Sequence, residues 1–281
     1  MKNILVPTDF SPQAHNAFEV ALQLARRTGG RVTLLHVLDL PHGSRLSSTG
    51  GPVGGSGLND VFTIKLLQVT KQRMHALMAE AAHLAEGVPV EDIVQDGAIE
   101  TAILEEIRAR NIDLMVLGSH EHGPETHFFS DSDTERLVRL ASCPVLTVKH
   151  PTPNFDVHHI VFASDFSAEA DRVVPALRQI QATFPAARLH LLDVVTSSSQ
   201  HAAALERIHA FAYRHQLAHY EPDVFAAPKA STGIPRFAEQ AHADLVVMLT
   251  HGRTGLSHLL QGSVAETVVT HTASPVLTVH I

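Results

Sequence analysis

Met248-Leu249-Thr250-His251-Gly252-Arg253-Thr254-Gly255-Leu256-Ser257-His258-Leu259-Leu260-Gln261-Gly262-Ser263-Val264-Ala265-Glu266 is the stretch around which the chain is organised. It continues an apolar run, Asp244 to Leu249, that reads as a buried strand. Glycines then punctuate it, and Ser263 stands three residues before Glu266, where an apolar-periodic segment begins. The order is strand, glycine-bearing loop, helix start. Ser263 and Glu266 fit a capping box, which sets the backbone N–H groups after Gly262 at the positive end of a helix, where a phosphate is favoured.

Working outward, the rest of the chain repeats one pattern. Asn3 to Thr8 reads as a strand, Asp9-Phe10-Ser11-Pro12 as a turn into a helix with Ser11 as N-cap and Pro12 at its first position, Gly29-Gly30 as its end, and Arg31 to Leu38 as a second strand. The order returns with Ile160 to Ser164 as strand, Asp165-Phe166-Ser167 as turn, Val173 to Ile180 as helix and Arg188 to Val195 as strand. Asp9 maps to Asp165 with a shift of 156, whereas Asp113 maps to Asp244, His120 to His251, Ser132 to Ser263 and Pro144 to Pro275 with a shift of 131. The first half therefore holds an insertion. It includes His42 to Asn59, rich in Gly and Ser, which reads as a flexible loop or lid; it lacks the Gly-Lys-Ser/Thr ending of a phosphate loop. A long helical pattern, Val61 to Ala85, and a strand, Val90 to Gln95, follow it. Helices over Thr101 to Arg110 and Ile234 to His242 lead into strands Leu114 to Leu117 and Leu245 to Leu249. Helices from about Ser132 and from Ser263 then lead through Cys143-Pro144 and Ser274-Pro275 into Val145 to Val148 and Val276 to Val279.

Near-continuous Val/Ile/Leu strands alternating with helices imply two tandem α/β domains, residues 1–150 and 156–281. Each is an open, parallel, five-stranded sheet flanked by helices, Rossmann-like in kind. Ligands bind such sheets at the carboxyl ends of the strands, where strand order reverses. The acidic turn after the first strand and the glycine loop after the fourth share that edge.

Composition bounds what the chain can do. Its 281 residues, 44% hydrophobic and 18% charged, belong to an ordinary globular protein. The apolar runs are strand-sized, short of the roughly 20 residues of a membrane span. The start shows no signal-peptide layout and Cys143 is the single cysteine, so the expectation is a cytoplasmic protein without an internal disulfide. A net charge of −8 without a long basic run argues against nucleic acid as a partner. Twenty-one histidines are many, but His158-His159 are adjacent, His120 and His122 two apart, and no His-x-x-x-His with an intervening Glu appears on a helix. They read as polar surface, with a metal or pH sensor as the alternative.

Taken together these residues resemble the universal stress protein family in its tandem form. The resemblance rests on Ile4 to Ser11 and Leu34-Leu35-His36-Val37 in the first half, and on His251 to Gly255, Gly262 to Glu266 and Ser274 to Val279 in the second. It implies an adenine-nucleotide α-hydrolase-like fold. It also implies, in ATP-binding members, a loop G-x2-G-x9-G-S/T with an aspartate after the first strand and a valine after the second lining the adenine pocket. Carried over to the second half, this gives Ala163, Ser164, Asp165 and Val194 for the base, Met248 and Leu249 at the strand end, Gly252, Arg253, Gly262 and Ser263 for the phosphates, and Val264 and Ala265 at the helix start.

That loop reads Leu249-x2-Gly252-x9-Gly262-Ser263, with the first glycine replaced, and Leu249 is expected to narrow the pocket near base or ribose. The first half reads Gly118-x2-Glu121-x9-Asp131-Ser132, with two acids where phosphate oxygens would approach. Like charges at a few ångströms cost on the order of 1 to 4 kcal/mol, or about one to three decades of affinity. The first half is therefore expected not to bind ATP in the family manner, although Pro7, Thr8, Asp9 and Val37 still suit the adenine side.

No nucleophile elbow, zinc-protease helix, Walker motif or kinase signature is present, so no catalytic residue is assigned. His251 and His258 near the phosphates fit surface positions as well as acid–base roles, and at most slow ATP hydrolysis is expected. The expected function is a stress-response protein whose second half binds ATP, or ADP or AMP. The alternative is a histidine-rich metal- or pH-responsive scaffold with a vestigial nucleotide site. By the resemblance, the two halves pair through Val145 to Val148 and Val276 to Val279, and a homodimer of the whole chain is compatible with this.

Overall fold

Ile4, Leu5 and Val6 have no solvent-exposed surface, and they form the centre of strand β1 (Asn3–Pro7). A strand this apolar needs cover on both faces, which is the packing demand that shapes the fold. The computed structural model describes residues 1–38, 40, 45–46, 52–53, 58–119, 131–250 and 264–280. By backbone packing the chain divides into two units, Met1–Leu137 with Pro151–Pro153, and Val138–His150 with Asn154–Ile281.

In the first unit β1 leads into α1 (Pro12–Thr28). Ser11 Oγ accepts from the Ala14 N–H at 3.2 Å, Pro12 occupies the first turn, and Gly29 ends the helix at φ 63°. The caps thus form where the sequence signals them. There follow β2 (Arg31–Leu38), β3 (Arg45–Leu46), β4 (Pro52–Val53), α2 (Leu58–Glu80), β5 (Val90–Asp96), α3 (Ile99–Ala109), β6 (Leu114–Gly118) and α4 (Asp131–Leu140). The sheet is parallel, in the order β5-β2-β1-β6. Of the Gly/Ser-rich stretch expected to be a loop, the described residues form a short antiparallel ladder, Arg45 opposite Val53; the rest of 41–57 lies outside the described residues.

The second unit contains β7 (Val145–Val148), β8 (His159–Ala163), a 3-10 turn (Ala168–Val173), α5 (Val174–Thr183), β9 (Arg188–Val195), a 3-10 turn (Ser198–Gln200), α6 (His201–Arg214), β10 (Tyr220–Ala226), α7 (Ala230–Gln240), β11 (Leu245–Thr250), α8 (Val264–His271) and β12 (Val276–His280). Strand order is β10-β9-β8-β11-β12-β7. All pairs are parallel except β7, which runs antiparallel to β12 with Leu146 opposite Leu277. The hydroxyls of Thr147 and Thr278 reinforce that ladder by donating to Val276 O at 3.1 Å and Val145 O at 3.2 Å. Beside it, buried Lys149 donates from Nζ to Thr270 O at 2.5 Å and Thr272 O at 3.0 Å, answering carbonyls that the end of α8 leaves without helical partners. Both units are α/β with mostly parallel sheets flanked by helices, the class expected.

The repeat has a physical signature at the amino ends of the strands. Asp113 Oδ2 accepts from the N–H groups of Lys2 and Asn3 at 2.7 and 2.9 Å; Asp244 Oδ2 accepts from those of His158 and His159 at the same two distances. Each carboxylate ties the start of the fourth strand of its repeat to the start of the first. Such double acceptance is strong because the acceptor is charged.

One element departs from its counterpart. Where α1 is α-helical from its first turn, the second unit begins the equivalent helix with the 3-10 turn Ala168–Val173. The first turn of α5 carries Pro175, which has no N–H to bond back into a preceding α-turn. A Cβ on Gly118 of β6 would come within 2.4 to 2.6 Å of backbone atoms of Gln13 and Ala14, so α1 sits where only glycine allows it. The residue matching Gly118 on β11 is Leu249.

Candidate functional site at the carboxyl edge of the second sheet

Strand order reverses between β8 and β11, because β9 and β10 lie on one side of β8 and β11 and β12 on the other. The crevice at the carboxyl ends of these strands is where an open α/β sheet takes a ligand. The turn leaving β8 is built by its own side chains. Ser164 N–H donates to Leu192 O at 3.0 Å, Ser164 Oγ accepts from Phe166 N–H at 3.0 Å, and Asp165 Oδ1 accepts from Ser167 N–H at 3.0 Å. These bonds hold Phe166 at φ 55°, a left-handed conformation unusual for a non-glycine residue. The Phe166 ring packs with Phe162 and Phe211 at centroid distances of 5.6 and 5.2 Å. Asp165 is thereby fixed in backbone and left exposed to solvent.

The first unit makes the same turn: Thr8 N–H to Leu35 O at 2.8 Å, Phe10 N–H to Thr8 Oγ1 at 3.0 Å, Ser11 N–H to Asp9 Oδ1 at 2.9 Å, and Phe10 at φ 65°. Its surroundings differ. The guanidinium of Arg73, from α2, lies 4.3 Å above the Phe10 ring, which also stacks at 4.6 Å on buried His36. His36 Nδ1 is 2.7 Å from Thr8 O, and burial holds the imidazole below its ordinary value, so the neutral ring donates to that carbonyl. In the second unit Asp193 stands at the position matching His36. It is buried and ion-paired with Arg207 of α6, Nη2 to Oδ2 at 2.7 Å.

Ala163, Met248 and Ala265 are all buried in one apolar cluster with Leu192, Ile234 and Val268, and Val194 packs against it from the rim. The sequence-predicted residues Ala163, Val194, Met248 and Ala265 are thus brought together, as the floor between the sheet and helices α7 and α8. Val194 reaches its place because α7 carries a glycine there: a Cβ on Gly233 would stand 2.6 Å from Val194 Cγ1. Leu249 is separated from this group. Strand alternation turns it to the face opposite Met248, toward the helix that follows β8. Val264 is exposed at the first position of α8. Gly252, Arg253, Gly262 and Ser263, with His251 and His258, lie outside the described residues, as do His120 and Glu121. Glu266, assigned to the capping box, pairs with Arg139 at 3.5 Å.

Thr250 ends β11 on the face of Met248 and Ala265. Its Oγ1 is buried and has no hydrogen-bond partner among the described residues. A buried hydroxyl without a partner is uncommon and calls for one.

The model of the universal stress protein family matches residues 1–149 and again residues 156–280. This chain belongs to the universal stress protein family. A universal stress protein of Synechocystis is 26% identical over 295 residues, covering 99% of both chains. Another, of Methanocaldococcus jannaschii, is 28% identical over 155 residues, covering 53% of this chain and 94% of its own. The crystal structure of a universal stress protein from Archaeoglobus fulgidus superposes with a TM-score of 0.72 at 20% identity, covering 98% of this chain and 97% of that one, a likeness of fold. Among the described residues of this universal stress protein, no helix is long and apolar enough to cross a membrane.

Sequence reading missed a second constellation in this unit: His159, His190, Glu221 and Asp223, contributed by three neighbouring strands. The one signal available was the alternation Glu221-Pro222-Asp223 on a strand, which sets two carboxylates on one face.

Proposed function

We propose that this universal stress protein binds ATP, or ADP or AMP, at the carboxyl edge of its second sheet, and that it acts in the cytoplasm as a stress-response protein whose nucleotide occupancy alters partner binding. The observation that carries this reading is the Thr250 hydroxyl, buried and without a hydrogen-bond partner among the described residues, at the carboxyl end of β11 beside the strand-order reversal. The base would lie against Ala163, Ser164, Asp165 and Val194, with Met248 and Leu249 at the strand end beside base or ribose. Gly252, Arg253, Gly262 and Ser263, followed by the N–H groups of Val264 and Ala265 at the start of α8, would take the phosphates. The small or apolar floor and the orphaned hydroxyl fit a nucleotide there. No residue is given a catalytic role, and hydrolysis would be slow at most.

In the first repeat the same turn is covered by Arg73 and His36, and acids replace glycines in its loop, which supports a domain that does not take ATP in this manner. We read the β7–β12 ladder as pairing of the repeats through their last strands, with a homodimer of the whole chain as a further proposal. The test is extraction and mass-spectrometric identification of small molecules that co-purify with the full chain. An adenine nucleotide at up to one per chain is expected, while a clean extract from protein that also fails to retain added ATP would overturn the reading.

A further inference from the structure

On the amino-terminal half of the second sheet, remote from the nucleotide edge, a buried histidine faces two carboxylates. His190 of β9 has Nδ1 3.0 Å from Asp223 Oδ2 and 3.5 Å from Glu221 Oε2, both on the adjacent edge strand β10. One ligand atom from each of the three residues lies within 4.8 Å of the others. Its other nitrogen, Nε2, is 3.2 Å from His159 Nδ1 on β8. His190 is 8% exposed, Asp223 28% and Glu221 52% by side chain, so the imidazole is anchored inside while the carboxylates open to solvent.

We propose that His190, Asp223 and Glu221 bind a divalent cation of the zinc type, with water completing its coordination. Three arguments carry this. The first is size: zinc bonds of about 2.0 to 2.2 Å in a tetrahedron set ligand atoms about 3.3 to 3.6 Å apart, close to the two His190–carboxylate distances. The second is charge. Two carboxylates converge on one face with a single buried imidazole between them, and among the described residues the one Lys or Arg paired with them is Arg188, 4.0 Å from Glu221. A dication at Nδ1 compensates both. The third is orientation. A metal on Nδ1 requires the His190 proton on Nε2, and His159 Nδ1 stands where it accepts that proton, the outer-shell hydrogen bond that metal-bound histidines need. Phe237 of α7, with its ring 6.1 Å from that of His190, packs against the imidazole from the helix side. At about 3.3 Å per residue, His190 lies roughly 16 Å from the carboxyl end of β9, so the site is spatially separate from the proposed nucleotide edge.

The experiment uses the full chain stripped of metal. Zn2+ is titrated calorimetrically and Co2+ by its visible d–d bands, in wild type and in the Asp223→Asn and Glu221→Gln variants, whose positions on a partly exposed edge strand leave folding intact by circular dichroism. Because other histidines supply background sites, the difference between proteins is what is read. One equivalent of Zn2+ and tetrahedral Co2+ bands in wild type are expected, with affinity at least about tenfold weaker in Asp223→Asn. A 15N spectrum should show the His190 proton on Nε2 once Zn2+ is added. Zn2+ affinity and stoichiometry equal in wild type and both variants, or a His190 proton that stays on Nδ1, would overturn the assignment.

Discussion

Replacing Gly118 by alanine tests the claim that the first glycine of the family loop serves helix packing. The added Cβ would stand 2.4 Å from Gln13 C, 2.5 Å from Gln13 O and 2.6 Å from Ala14 N. Carbon atoms in contact sit at about 3.5 to 4.0 Å, so the first turn of α1 must withdraw by about 1 Å. The obstructing atoms are backbone, which no rotamer change can move. Withdrawal also pulls on the Ser11–Ala14 cap and on the Asp9 turn before it. Overpacking of this kind costs about 1 to 3 kcal/mol, and the upper half of that range applies here. For a unit of this size each kcal/mol moves the melting temperature by about 3 to 4 °C, so the first unit should melt about 6 to 12 °C lower. The chain has no tryptophan, so unfolding is followed by circular dichroism. A melting temperature within about 2 °C of wild type would refute the reasoning. The mirror change, Leu249→Gly, should destabilise the second unit by about 1 to 2 kcal/mol and leave ATP affinity within about threefold.

Two further outcomes follow from buried polar groups. Lys149→Met keeps the apolar stem but removes both donors to Thr270 O and Thr272 O, and should lower stability by about 1 to 3 kcal/mol, with faster amide exchange at the end of α8; exchange unchanged there would remove Lys149 as its cap. His36 is held neutral by burial below its ordinary value of 6.5, so the unfolded chain takes the proton first; its contribution is complete above pH 6.5 and is lost as pH falls from there through the folded value. His36→Asn, which keeps a donor for Thr8 O, should therefore lose fewer degrees of melting temperature between pH 7.5 and 5.5 than wild type, and equal losses would place the acid sensitivity elsewhere.

How far the sequence foretold this follows from the range of each interaction. The caps of α1 are local, and Ser11, Pro12 and Gly29 announce them within a single turn. The matched aspartates, Asp113 and Asp244, were visible as a constant offset although their partners lie 110 and 85 residues away, because a repeated fold repeats its staples. The room that only Gly118 leaves for α1 was not legible, since the backbone it faces at Gln13 lies 105 residues earlier and meets it only once β6 lies beside β1. The His190 cluster was hidden for the same reason. Its members come from three strands, and only the register of β8, β9 and β10 brings them to one face. The Asp165 turn was legible in its residue types, because Ser164 and Asp165 carry the side-chain acceptors that close it within two residues.

The central claim is that one nucleotide binds, and in the second repeat. Calorimetric titration of the full chain with Mg-ATP, in wild type and in the double substitution Gly262→Asp with Ser263→Ala, tests it most directly. The account predicts one site per chain in wild type and a loss of about one to three decades of affinity in the variant. Affinity that survives the double substitution would contradict it.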